Sequence, residues 1–78
     1  DPRARLSAAR TLRDLGAKEY APDIAALLRD PDPRVPGLTT AILGPLTGQK
    51  FPADEAGVLA AQAWWDQHKN DPEFAPKR

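Results

Sequence analysis

The residue types best suited to chemistry cluster late in the chain, in the stretch AQAWWDQHKND at residues 61–71. It holds both tryptophans, Trp64 and Trp65, and the single histidine, His68. An imidazole beside an indole could serve as a general acid or base, given an orienting partner and room for a substrate. On a helix, Val58, Ala61, Trp64, Trp65 and His68 fall within an arc of about 120°. The two indoles then flank Ala61 at the edges of one face. That arrangement suits rings spread over a neighbouring helix better than rings gripping a ligand. His68 reads as a helix-end residue leaning on the pair, favoured by the C-terminal dipole. One histidine and no cysteine would leave metal ligation to carboxylates, a poor zinc set.

Other chemical groups reduce to structural roles. Asp54-Glu55 could be an acid pair or part of a calcium loop, but an EF-hand needs alternating oxygen ligands over a longer loop. At a helix N-terminus the pair is stabilising as it stands. The DPDP run at 30–33 reads the same way. Gly44 and Gly48 do not form a phosphate-binding glycine loop. Ser7, the only serine, falls on a polar helix face with no histidine in its pattern. No catalytic, cofactor or metal site is expected, and an enzyme is not expected.

Arg3, Arg10 and Arg13 share one flank of the first helix, and Arg34 takes the matching place later on. They are the candidate partner surface. A phosphate backbone is one partner for such a flank, but Asp14 interrupts it and no aromatic is interleaved for base stacking. Eleven basic residues balance eleven acidic ones, and neutral charge argues against nucleic acid. At 78 residues there is room for one domain with a thin core. No apolar run reaches the roughly 20 residues that span a bilayer, so membrane insertion is not expected. The compartment is left open between cytoplasm, the default, and periplasm. The opening DPRARL, without a methionine, reads as the middle of a pattern, so the chain is expected to be a piece of a longer protein.

The positions that hold these groups come from an internal repeat. Aligning Asp1 with Asp32 brings Pro2 onto Pro33, Arg3 onto Arg34, Ala4 onto Val35, Leu12 onto Leu43 and Leu15 onto Leu46, an offset of 31 throughout. Asp1 and Asp32 are good N-caps. Pro2 and Pro33 fit the first helical position, and Pro36 would be the fourth residue of its helix. In the first helix Ala4, Ala8, Leu12 and Leu15 share one face, with Ala9 alongside, opposite Arg3, Ser7, Arg10 and Asp14. Gly16 is the expected stop.

A second helix in APDIAALLRD carries the stripe Ile24, Leu27, Leu28 and ends before Pro31. The third should kink or stop near Gly44, because Pro45 lacks the amide owed to Ala41. The fourth starts at Asp54 or Ala53. Residues 70–78 are expected to form a disordered tail.

These residues resemble HEAT or HEAT-like repeats: Asp-Pro-x-Val-Arg, then Ala-Ala, then Leu-Gly, then Pro, then Leu-Leu-x-Asp. Asp1, Arg5, Ala8, Ala9, Leu12 and Gly16 match in the first unit, and Asp32, Val35, Leu43 and Leu46 in the second. Pro36 stands at the arginine position of the second unit, and Thr39 and Thr40 replace its alanines. The ending LTGQKF…WW is similar to the last repeat of some bacterial members. The resemblance, over about residues 1–69, implies that Asp1, Arg5 and Asp32 are scaffold residues bridging neighbouring helices.

The expected fold is all-α: two helix–turn–helix repeats, 1–30 and 31–69, stacked as a short α-solenoid. Asp1, Arg5, Asp32, Leu12, Leu15, Leu43, Trp64 and Trp65 are its expected structural residues. The expected function is a non-enzymatic protein-interaction or scaffold module, the C-terminal capping repeats of a larger protein, meeting another protein or another domain of the same chain. Nucleic-acid binding through Arg3, Arg10, Arg13 and Arg34 is the alternative. A small-ligand or catalytic site near Trp64, Trp65 and His68 is the third reading.

Overall fold

The first helix begins where its carboxylate cap directs. In the computed structural model, which describes residues 1–75, Asp1 accepts from the amide of Arg3 at 3.0 Å and opens α1, Pro2–Asp14. Gly16 closes it in the left-handed conformation, φ 65°, with its amide on the carbonyl of Arg13. Glycine adopts that conformation without the Cβ penalty other residues meet. A 3₁₀ turn, Lys18–Tyr20, leads into α2, Ala21–Ala26, which tightens into a second 3₁₀ turn, Leu27–Arg29. Asp30 then turns extended, as a residue before proline prefers.

The second unit departs from the expected opening: Asp32 is not the N-cap and Pro33 not the first helical residue, because a turn precedes the helix and Arg34 holds the cap position without a side-chain bond. Asp32 accepts from the amide of Arg34 at 3.0 Å, as Asp1 does from Arg3. The helix α3, however, runs Val35–Thr47, so Pro36 lies in its first turn and not fourth. Pro36 has no amide to return to the Asp32 carbonyl, and the amide of Val35 takes that place at 3.0 Å in a tighter turn.

Nor does α3 end near Gly44. It continues past Pro45 to Thr47 and stops at Gly48, φ 73°. Pro45 and Ala41 are both exposed, so water can reach the carbonyl that proline leaves unpaired. A final helix α4, Glu55–His68, is capped by Asp54, which accepts from the amide of Gly57 at 2.8 Å.

The centre of the fold is α3, which packs against α1, α2 and α4. Ile24, Leu28, Val35, Ile42, Leu43, Ala61 and Trp65 meet in one core. Thr39 and Thr40, the residues in place of the alanines, are buried too. Their hydroxyls donate back to the carbonyls of Val35 and Gly37, at 2.7 and 2.6 Å, which removes the cost of burying them. The architecture is all-α, with four helices and no strand among the described residues. Its radius of gyration, 11.4 Å, is that of a compact domain of this length, about 11.5 Å.

Two further expectations are corrected. The disordered tail does not start at Asn70. A 3₁₀ turn at Pro72–Phe74 folds back, packs against the turn at Lys18–Tyr20, and buries Phe74 to 1% exposure. Burying a phenylalanine offsets the ordering of a few residues. The remainder of that expectation, residues 76–78, lies outside the described residues.

The second of these concerns α1. Leu6 and Ala9 are its buried residues, Leu12 is half-buried, Ala4 and Ala8 are exposed, and Leu15 is 72% exposed. Helix α1 carries apolar residues on two sides, and periodicity alone does not say which side a neighbour covers.

Candidate functional site

Three places carry the groups that the sequence singled out. The first is the end of α4. The imidazole of His68 stacks on Trp64 with ring centroids 4.3 Å apart and planes 20° from parallel. Its Nδ1 lies 3.0 Å from Asp71 Oδ2. A carboxylate on Nδ1 orients an imidazole and directs Nε2 outward, half of what a general base needs. Among the described residues the side-chain partner of His68 is Asp71, and no nucleophile hydrogen-bonds to it.

The rings around this pair are packed for burial. Phe74 tilts against Trp65 at 5.1 Å and meets Trp64 edge-on at 6.0 Å, and Phe51 also meets Trp64 edge-on, at 6.3 Å. Such edge-to-face contacts are the favourable geometry for packed aromatics. Trp65 is buried and Trp64 half-buried. Asp71 and Phe74 were missed by sequence reasoning, which set them in a tail. The clue available was the last Asp-Pro of the chain, Asp71-Pro72, which repeats the dipeptide at Asp1 and Asp32.

The second place is the arginine flank. Arg3 and Arg34 line one depression of about 240 Å³ between the starts of α1 and α3, floored by Leu6, Val35 and Leu38. The four arginines differ in what holds them. Arg13 binds Asp14 at 3.0 Å, and Arg34 binds Asp32 at 2.9 Å. Among the described residues Arg3 and Arg10 form no ion pair. Hydrogen bonds from the Arg34 side chain and amide lower the Asp32 carboxyl from the ordinary 3.8 to about 2. The same contact raises the Arg34 guanidinium. Half of the flank is thus neutralised by adjacent carboxylates.

The third place is the outer side of α1. A shallow groove of about 260 Å³ runs between α1 and α2, lined by Ala8, Ala9, Leu12, Ile24 and Leu27, with Arg5 and Asp23 at its rim. Leu15 and Ala4 extend the apolar surface along α1. Leu12, Leu15 and Leu27 were expected to be core, and the structure leaves Leu15 on the surface and the other two half-buried.

No three histidine, aspartate or glutamate side chains converge as a metal site requires among the described residues. Among the described residues no helix is long and apolar enough to cross a membrane. Comparison with protein-family models, curated proteins and solved structures finds no match to this chain.

Proposed function

We propose that this chain is a non-enzymatic interaction module, the end unit of a HEAT-like helical array, acting through its surface. One observation carries the reading. The 31-position offset between Asp1 and Asp32 is matched by one local contact, since each carboxylate accepts from the amide two residues on, although only Asp1 caps a helix directly. Two units built alike, with an apolar groove left open on the first, fit a scaffold that recognises by shape. The aromatic cluster at the end of α4 serves as the closing seal of the last unit in this reading.

A photoreactive benzoylphenylalanine placed at position 15, and separately at position 27, tests the proposal in the native host. Covalent adducts with a protein, or with another domain of the same polypeptide, are expected from both positions. None is expected from exposed Ala63 on α4. Absence of adducts from both grooved positions overturns the reading.

A further inference from the structure

We propose that residues 71–75 are a displaceable plug, and that the slot they fill at the end of α4 takes a protein segment of the same make: a phenylalanine three residues after an aspartate. The slot is separate from the open groove on α1, and its ligand does not depend on what that groove binds.

The chemistry of the ligand is read from the plug. Phe74 is 1% exposed, its ring 5.1 Å from that of Trp65 and 6.0 Å from that of Trp64. Its turn also packs on the turn at Lys18–Tyr20. Walls of indole favour an aromatic ring over an aliphatic side chain, through edge-to-face contact. Three residues earlier, Asp71 sets Oδ2 3.0 Å from His68 Nδ1 at the mouth of the slot. The Phe74 amide donates to the Asp71 carbonyl at 3.0 Å, which fixes the spacing of ring and carboxylate. One ring in a desolvated slot beside one polar contact is how a short peptide anchors itself.

Displacement follows from what holds the segment. Its backbone bonds are local: the amides of Asp71, Phe74 and Ala75 donate to the carbonyls of His68, Asp71 and Pro72. Among the described residues no backbone group of 71–75 pairs with α1, α2 or α3. Its ties to the domain are thus the Phe74 ring and the contact between His68 and Asp71, whose side chains are 39% and 45% exposed. Pro72, Glu73 and Ala75 are exposed. A segment held this way opens at less cost than the whole fold. Its covalent tether gives the plug a high effective concentration, so a partner must bring the same anchor and contacts of its own.

The test adds the peptide acetyl-NDPEFA-amide, the sequence of residues 70–75, to the full chain. Phe74→Ala empties the slot and should shift tryptophan emission to the red. The peptide should reverse that shift saturably, and should bind the parent chain at least about ten-fold more weakly, because the plug competes there. A peptide with alanine for the phenylalanine should lose about ten-fold or more in affinity. Emission that ignores the peptide, or answers the alanine peptide equally, overturns the proposal. Where Phe74→Ala does not fold, 4-fluorophenylalanine at position 74 of the otherwise intact chain decides. Its fluorine resonance should reach the exposed position at lower urea than the loss of helix. A single coincident transition overturns the proposal, because the segment then belongs to the core. Cross-linking at positions 15 and 27 reads a different surface, so the two proposals fail separately.

Discussion

Arg5 reaches from the first turns of α1 to Asp30 at the end of the same unit, its Nε 2.9 Å from Oδ2. The Asp30 side chain is 6% exposed and its Oδ1 also accepts from the amide of Asp32 at 2.9 Å. One carboxylate therefore ties the start of the first unit to the opening of the second. The scaffold role implied for Arg5 by resemblance has Asp30 as its partner, and Asp32 pairs instead with Arg34.

Removing Arg5 leaves that nearly buried carboxylate with the Asp32 amide alone. Arg5→Ala should destabilise the chain by about 1–3 kcal/mol in urea denaturation. Arg5→Lys should restore only part, because an ammonium cannot supply the two-pronged contact of Nε and Nη2. A loss no larger than that of an exposed arginine such as Arg10→Ala would show the tie to be ornamental.

Trp65 is 8% exposed and packs on Phe74. Trp65→Ala and Phe74→Ala should each cost about 3–5 kcal/mol, a large share of the stability of so small a domain. Trp64→Ala should cost less, since that ring is half-exposed. Truncation after Asn70 removes Phe74 and should lower the melting temperature as Phe74→Ala does. An unchanged melting temperature would return residues 71–75 to a peripheral role.

The Asp32 carboxyl titrates lower in the folded chain than its ordinary 3.8, at about 2. Its contribution is thus present above pH 3.8 and fades as pH falls toward 2. Asp32→Asn should be less stable than the parent near neutral pH, and the difference should close on acidification across that window. Paired melts at about pH 7 and about pH 2.5 decide it, and a constant difference would contradict the assignment.

Gly57 sits in α4 beneath Pro52, and a Cβ there would fall on the Pro52 carbonyl oxygen. In an open helix Gly→Ala stabilises by about 1 kcal/mol. Here the sign should reverse, with a loss of about 1–3 kcal/mol or more from overpacking against backbone. A more stable Gly57→Ala chain would show that the 52–54 turn yields freely.

The arginine flank predicts a shallow salt response. With Arg13 and Arg34 held by Asp14 and Asp32, two arginines remain for phosphate. Any binding to duplex DNA should show a log–log salt slope no steeper than about −2. A slope near about −4 would require all four arginines on phosphates and would favour the nucleic-acid reading.

The sequence by itself determined the local events. Asp1 and Asp54 as caps, Gly16 in the left-handed conformation, and the extended Asp30 before Pro31 all follow from short-range backbone chemistry. So does the all-helical class, because each signal acts within a turn or two. Tertiary structure decided what those signals leave open. It chose Leu6 and Ala9 over Leu15 as the buried side of α1, since both sides are apolar and only the position of α3 selects one. It carried α3 through Pro45 by setting Pro45 and Ala41 on the exposed side of the helix. It also drew Asp71 and Phe74 out of an apparent tail onto His68, Trp64 and Trp65, because the gain from burying one ring depends on a cavity that neighbours distant in sequence create.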